Sequence, residues 1–132
     1  MATRINLSED ARVFCTNILQ NMTELCDDIY GIILSSIDGH PILEVSRKTL
    51  STNKLSAMSS SLMALGETIL KEAQQNECQY VIVENADGKV ICLRTGSNLT
   101  LSVFSEQNAN IGLVLSVGKQ SSEKISAALK HK

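Results

Sequence analysis

The sequence predicts an α+β domain in which a five-stranded, largely antiparallel sheet lies between helices on both of its faces. Three observations predict it. Apolar strand-like arms meet at Asp38-Gly39 and again at Asp87-Gly88, a dipeptide that supplies the backbone a tight hairpin needs. Three other segments carry apolar residues at the spacing of one helical face. Finally, Ile32-Ile33-Leu34 is apolar on consecutive residues, which requires cover on both faces of the strand that holds it. The element order is helix, strand, strand, helix, three strands, helix, in a three-layer α/β/α sandwich.

The first helix starts at Ser8, a capping hydroxyl followed by Glu9 and Asp10 at the positive end of the helix dipole. Its expected inner face is Ala11, Phe14, Ile18, Met22 and Leu25. Gly31 lies near the start of the first strand. After the Asp38-Gly39 turn, Pro41 to Val45 returns as the second strand, which belongs at a sheet edge because Pro41 has no amide donor. The polar "SRKTLSTNK" is a loop. A second helix is expected from about Lys54 to Gln75, with Met58, Leu62, Leu65 and Ile69 as its apolar stripe. "QYVIVENADGKVICLR" forms the second hairpin around Asp87-Gly88. Gly96 begins a short turn, the alternating Leu99, Leu101 and Val103 mark a fifth strand, and a third helix is expected from about Asn108 to Leu129.

At 132 residues the chain suits a single domain, residues 1–132 with a core of about 8–129. A hydrophobic content of 43%, a charged content of 20% and a net charge of −2 are those of an ordinary globular protein. The charges form no basic block, which argues against nucleic acid and anionic membranes as partners. No apolar run approaches transmembrane length and "MATRINLSEDARVF" lacks the apolar core of a secretory leader, so a cytoplasmic protein is expected, without membrane insertion. Cys15, Cys26, Cys78 and Cys92 are widely spaced, with no C-x-x-C pair, and read as buried free thiols.

The same periodicities raise a question of coverage. If the first and third helices share a face, the second is alone on the other. A helix about 10 Å wide leaves half of a sheet about 24 Å across bare. A second copy of the second helix, from another subunit, would complete the cover. Beside the apolar stripe runs a row of small residues, Ala57, Ser60, Ser61, Ala64 and Thr68, which would let two helix backbones approach closely. An ordinary solvated face explains the same row equally well. The third strand, "QYVIVE", is short of edge protection, with Glu84 as its one charge, and pairing with its own copy would satisfy its free backbone groups. Tyr80, Ile82 and Glu84 join the five helix residues as candidates for a dimer or partner interface.

Catalytic chemistry finds no footing. "GLVLSVGKQ", Gly112 to Gln120, imitates a phosphate-binding loop, but five residues separate its glycines and Gln120 follows Lys119 where a hydroxyl is needed. His40 and His131 lack neighbouring ligands, and Asp27-Asp28 reads as a turn. No catalytic residue, cofactor or metal ligand set is predicted, and the expectation is a protein that is not an enzyme.

Gly31 leading into the first strand, "DGHPI" at the first turn, "AMSSSLMALGETI" in the second helix, "QYVIVE" and "ANIGLVL" stand in the order and spacing of the roadblock family, named for a dynein light chain. The chain resembles that family over roughly Ser8 to Leu129. The resemblance implies a profilin-like fold with sheet order 2-1-5-4-3, the first and third helices on one face, and dimerisation through the second helix and the edge of the third strand. It also implies a function: roadblock proteins are typically non-catalytic partners of Ras-like small GTPases, serving as activators, scaffolds or adaptors. The expected role is therefore a homodimeric regulator or scaffold of such a GTPase. The alternative is a pure assembly adaptor of a motor or membrane-tethered complex, without effect on GTP turnover.

Overall fold

The computed structural model describes residues 7–130, apart from the Lys130 side chain. Residues 1–6 and His131, which entered the reading above, lie outside the described residues. The elements are α1 Glu9–Leu25, β1 Ile29–Ser36, β2 Pro41–Ser46, α2 Thr52–Glu72, β3 Tyr80–Glu84, β4 Gly88–Thr95, β5 Leu99–Glu106 and α3 Ile111–Lys130. All pairings in the sheet are antiparallel, in the order β2-β1-β5-β4-β3. The helices α1 and α3 pack together on one face and α2 lies on the other, the predicted three layers.

The main core fills the face under α1 and α3. Ile32 and Leu34 of β1 meet Val103 and Leu101 of β5, and Ile91 and Leu93 of β4 continue the row under Val114, Val117 and Ile125. The Ile32-Ile33-Leu34 run is covered on both sides as expected, with Ile33 fully buried between its neighbours. Helix α1 turns differently from expectation. It buries Ala11, Cys15, Leu19 and Met22, while Phe14 and Leu25 are exposed. Cys15 and Leu19 offer the same helical spacing as Phe14 and Ile18, and they fill the sheet surface without forcing an aromatic ring into it.

Ser8 caps α1 as predicted, accepting from the Ala11 amide at 3.1 Å. Asn110 caps α3 in the same way, from the Leu113 amide at 3.1 Å, so that helix begins three residues later than expected. The phosphate-loop imitation, residues 112–120, is inside α3 and wholly helical. Helix α2 starts at Thr52 and ends at Glu72, before the expected Gln75. Gln74 there adopts φ +60°, and the Gln74 and Gln75 amides bond back to Lys71 and Leu70 carbonyls. This closure is normally announced by glycine, and glutamine hides it.

The two Asp-Gly pairs do different work. Gly39 has φ +95° and supplies a left-handed turn residue, lying so close to α2 that a Cβ would be 3.1 Å from the Ala57 Cα. Gly88 has no positive φ and opens β4 instead. The second turn is held by the Asn85 side chain, which accepts from the Asp87 and Gly88 amides at 2.9 and 3.1 Å. Gly88 is needed for proximity, since a Cβ would fall 2.4 Å from the Ser105 carbonyl oxygen.

The two sheet edges are unlike. On β2, Pro41 offers no donor and the Arg12 guanidinium covers the Ile42 carbonyl at 3.3 Å. On β3 nothing equivalent stands among the described residues.

Candidate interaction surface

Helix α2 crosses the sheet and touches all five strands. The area it leaves open is therefore toward the strand ends, whereas the coverage argument expected a bare side. The reason is length: 21 residues make a helix about 31 Å long, more than the width of five strands.

The residues α2 buries are Ser56 and Ser59, small and polar, and Met63, which packs against Cys78 and Cys92. Beneath them the sheet presents Ser35, Thr100, Ser102 and Cys92, all buried. Ser102 donates to the Ser59 hydroxyl at 2.9 Å, and the Cys92 thiol contacts the same oxygen at 3.5 Å. Burial pushes the Cys92 thiol pKa up, against the opposing hydrogen bonds from Ser59 and Ser102. The Ser56 hydroxyl is buried without a hydrogen-bond partner among the described residues. Gly66 lets the helix approach the start of β3, where a Cβ would meet the Cys78 sulfur at 3.0 Å.

The predicted orientation of α2 is consequently corrected. Of the stripe expected on the sheet, Leu62 is partly buried against Met63, whereas Met58 at 62%, Leu65 at 58% and Ile69 at 57% exposure are turned outward. The direction of these three follows from Ser60, roughly 200° round the helix from Met58. Ser60 donates to the Ile37 carbonyl at 2.6 Å, at the β1–β2 turn. The Met58 stripe thus faces the other end of the strands, where Gly31, Phe104, Val90 and Val83 form a row across the sheet. Val83 is 50% exposed, and the Tyr30 ring packs at a tilt against Phe104, with ring centroids 6.3 Å apart. Gly31 and Phe104 are buried, so the open apolar shelf consists of Met58, Leu65 and Ile69 on the helix flank and Val83 at the sheet end, more than isolated surface hydrophobics.

Of the small-residue row, Ala57, Ser61, Ala64 and Thr68 are exposed on the outer face of α2. Ser60 and Thr68 have intrachain partners, since Thr68 donates to the Ala64 carbonyl at 3.0 Å. The three strand candidates lie elsewhere. Tyr80, Ile82 and Glu84 pair with Leu93, Ile91 and Lys89, and their side chains share the α3 face of the sheet, while Val81 and Val83 share the α2 face. The outer edge of β3 unites the two groups. Sequence reasoning left Met58, Leu65, Ile69 and Val83 out of the surface. The signal was present in the serines, threonine and cysteine of the strands, which make a floor for Ser56 and Ser59 under the middle of the helix.

The start of β3 is tied down by one half-buried ion pair. Arg94 donates to Glu67 at 2.9 Å, and the same Glu67 oxygen accepts from the Cys78 amide at 3.1 Å. On the α3 side, Lys119 lies over the Tyr80 ring at 5.0 Å. A cleft of about 660 Å³ there has Arg94, Lys119, Glu77 and Glu123 among its lining residues. No group of three or more metal-ligating side chains occurs among the described residues. No described helix is long and apolar enough to cross a membrane.

The fold is matched by known structures. The gliding protein MglB of Thermus thermophilus superposes with a TM-score of 0.91 at 13% identity, each chain covering 100% of the other. Myxococcus xanthus MglB gives 0.87 at 17% identity, over 97% of this chain and 96% of that one. Acanthamoeba castellanii profilin IA gives 0.59 at 12% identity, over 89% and 97%, which supports the profilin-like sheet. At such identities the likeness concerns the fold alone. No curated protein matches by sequence. The family model described as Roadblock/LC7 domain matches residues 17–105, from the middle of α1 to the end of β5, and the chain belongs to that family.

Proposed function

We propose that this chain is a non-catalytic homodimeric regulator or scaffold that binds a small Ras-like GTPase and modulates its nucleotide cycle or its localisation. The observation that carries the reading is the apolar shelf of Met58, Leu65, Ile69 and Val83 beside the unprotected edge of β3. A second copy covers the shelf and pairs the edge; the outer row of Ala57, Ser61 and Ala64 then lies beside its symmetry mates. Membership in a family generally made of non-catalytic regulators supports the same role. The composite α2 surface is the docking face for the GTPase.

The experiment is to mix the purified chain with each Ras-like GTPase encoded in the same genome, and to measure both complex formation and single-turnover GTP hydrolysis. Binding with altered hydrolysis is the expected result. Binding with unchanged hydrolysis assigns the protein to the adaptor class, and absence of binding to any of them overturns the proposal.

A further inference from the structure

We infer that self-pairing of β3 is locked in one register, centred on Ile82, by an ion pair between Lys119 and the partner's Glu84 on the sheet face opposite α2. The inference rests on the homodimer reading above and specifies how its two chains meet.

The hydrogen-bond phase of β3 decides which groups are free. The Arg94 amide donates to the Gln79 carbonyl at 2.9 Å and the Asn85 amide to the Gly88 carbonyl at 3.0 Å. In an antiparallel ladder the bonded residues alternate, so Gln79, Val81, Val83 and Asn85 turn their amides and carbonyls to β4. Tyr80, Ile82 and Glu84 turn theirs outward. The Tyr80 carbonyl has only a long thiol contact from Cys78 at 3.6 Å, which leaves a lone pair for an incoming donor.

An antiparallel copy centred on Ile82 uses all three outward residues. Ile82 exchanges bonds with the partner's Ile82, and Tyr80 does so with the partner's Glu84. Sliding two residues toward the strand start brings the partner's Glu84 against Cys78. That residue is already committed, its amide to Glu67 at 3.1 Å and its carbonyl to Arg94 at 3.3 Å. Sliding two residues the other way sets Tyr80 against the turn that follows β3. Sliding four residues places Glu84 directly against the partner's Glu84, a like-charge contact.

Charge selects the same register. Directly opposed residues have Cβ atoms about 4.5–5.5 Å apart, so the partner's Glu84 stands beside Tyr80. Over that ring Lys119 already holds its ammonium, 5.0 Å from the centroid. Within its own chain Glu84 is 61% exposed and reaches only Lys89, at 3.7 Å, while Lys89 also donates to the Gln107 carbonyl at 2.9 Å. The two-fold axis makes the new contact twice.

The test is a pair of charge reversals, Lys119→Glu and Glu84→Lys, examined by sedimentation alone and as an equimolar mixture. Each variant alone meets repulsion at both symmetry-related sites, and its dissociation constant rises roughly tenfold or more at low salt, less at high salt. The mixture recovers dimer, because a heterodimer restores opposite charges at both sites, and native mass spectrometry reads it as one chain of each kind. A native-like constant for either variant alone, or a mixture that stays dissociated, overturns the register while leaving the homodimer intact. A native chain that is monomeric at high micromolar concentration instead removes the homodimer reading beneath it. As a measurement free of charge changes, Ile82→Cys crosslinks to its own copy under mild oxidation in this register; the four native cysteines are buried and do not compete. A native-like Ile82→Cys dimer that fails to crosslink also counts against it.

Discussion

Leu65→Asp is the substitution that separates the interaction surface from the fold. Fully burying a leucine side chain is worth roughly 1.5–3 kcal/mol. Leu65 is 58% exposed in the single chain. Covering the remainder is thus worth about 1–2 kcal/mol, and a two-fold contact counts it twice, giving about 2–4 kcal/mol. At about 1.4 kcal/mol per tenfold, the dimer dissociation constant rises roughly thirtyfold to several-hundredfold. The fold itself loses much less, about 1 kcal/mol from partial burial and helix propensity. Sedimentation velocity over a wide concentration range reads the first effect and urea unfolding of the dilute protein reads the second. Val13→Asp is the control, an apolar residue of similar exposure on α1, at 52%, away from the shelf. A Leu65→Asp protein that self-associates like the native chain refutes the reasoning. So does a Val13→Asp protein that dissociates equally, since the effect would then be one of net charge.

Two further outcomes test the polar floor under α2. Ser56→Ala should leave the protein as stable or more stable, by up to about 1 kcal/mol in urea unfolding, because it removes a buried hydroxyl without a partner and favours the helix. A loss of stability would reveal a bond to that hydroxyl. Cys92 supplies a pH signature: its thiol pKa is raised by burial, so the folded protein retains a proton that the unfolded chain releases more readily. That contribution is fully present below the ordinary thiol pKa and is lost as pH rises through it toward the raised folded value. The stability difference between native and Cys92→Ala proteins should therefore shrink on the alkaline side and stay constant near neutrality; a difference independent of pH contradicts the assignment.

The elements legible from the residues were those announced by local chemistry. Ser8 marks the start of α1, Pro41 marks an edge strand, and consecutive apolar residues at Ile32 to Leu34 mark a strand covered twice. What stayed hidden depended on neighbours distant in sequence. Which of two equally spaced faces α1 buries is decided by the sheet it meets, and the larger Phe14 side chain lost to Cys15. For α2 the deciding partners are Ser102 and Cys92, 43 and 33 residues away from Ser59. Judged alone, Met58, Leu62, Leu65 and Ile69 look like an inner stripe, but of these Leu62 packs inward and the other three are exposed. Gly88 illustrates the same limit, because its reason for being glycine is a carbonyl oxygen on another strand.

The unequal sheet edges have a consequence for how many chains can join. A sheet open on both sides can accept one neighbour at each, and successive additions then run on without end, as in fibres. Here an arriving strand can dock on β3, but β2 is stopped by Pro41 and by the Arg12 guanidinium over the Ile42 carbonyl. Once two β3 strands have met, both outer margins are β2, and neither offers a seat. The chain therefore carries its own stop signal for strand addition. Growth by this route halts at a pair, and any larger assembly must be built from helix faces or loops.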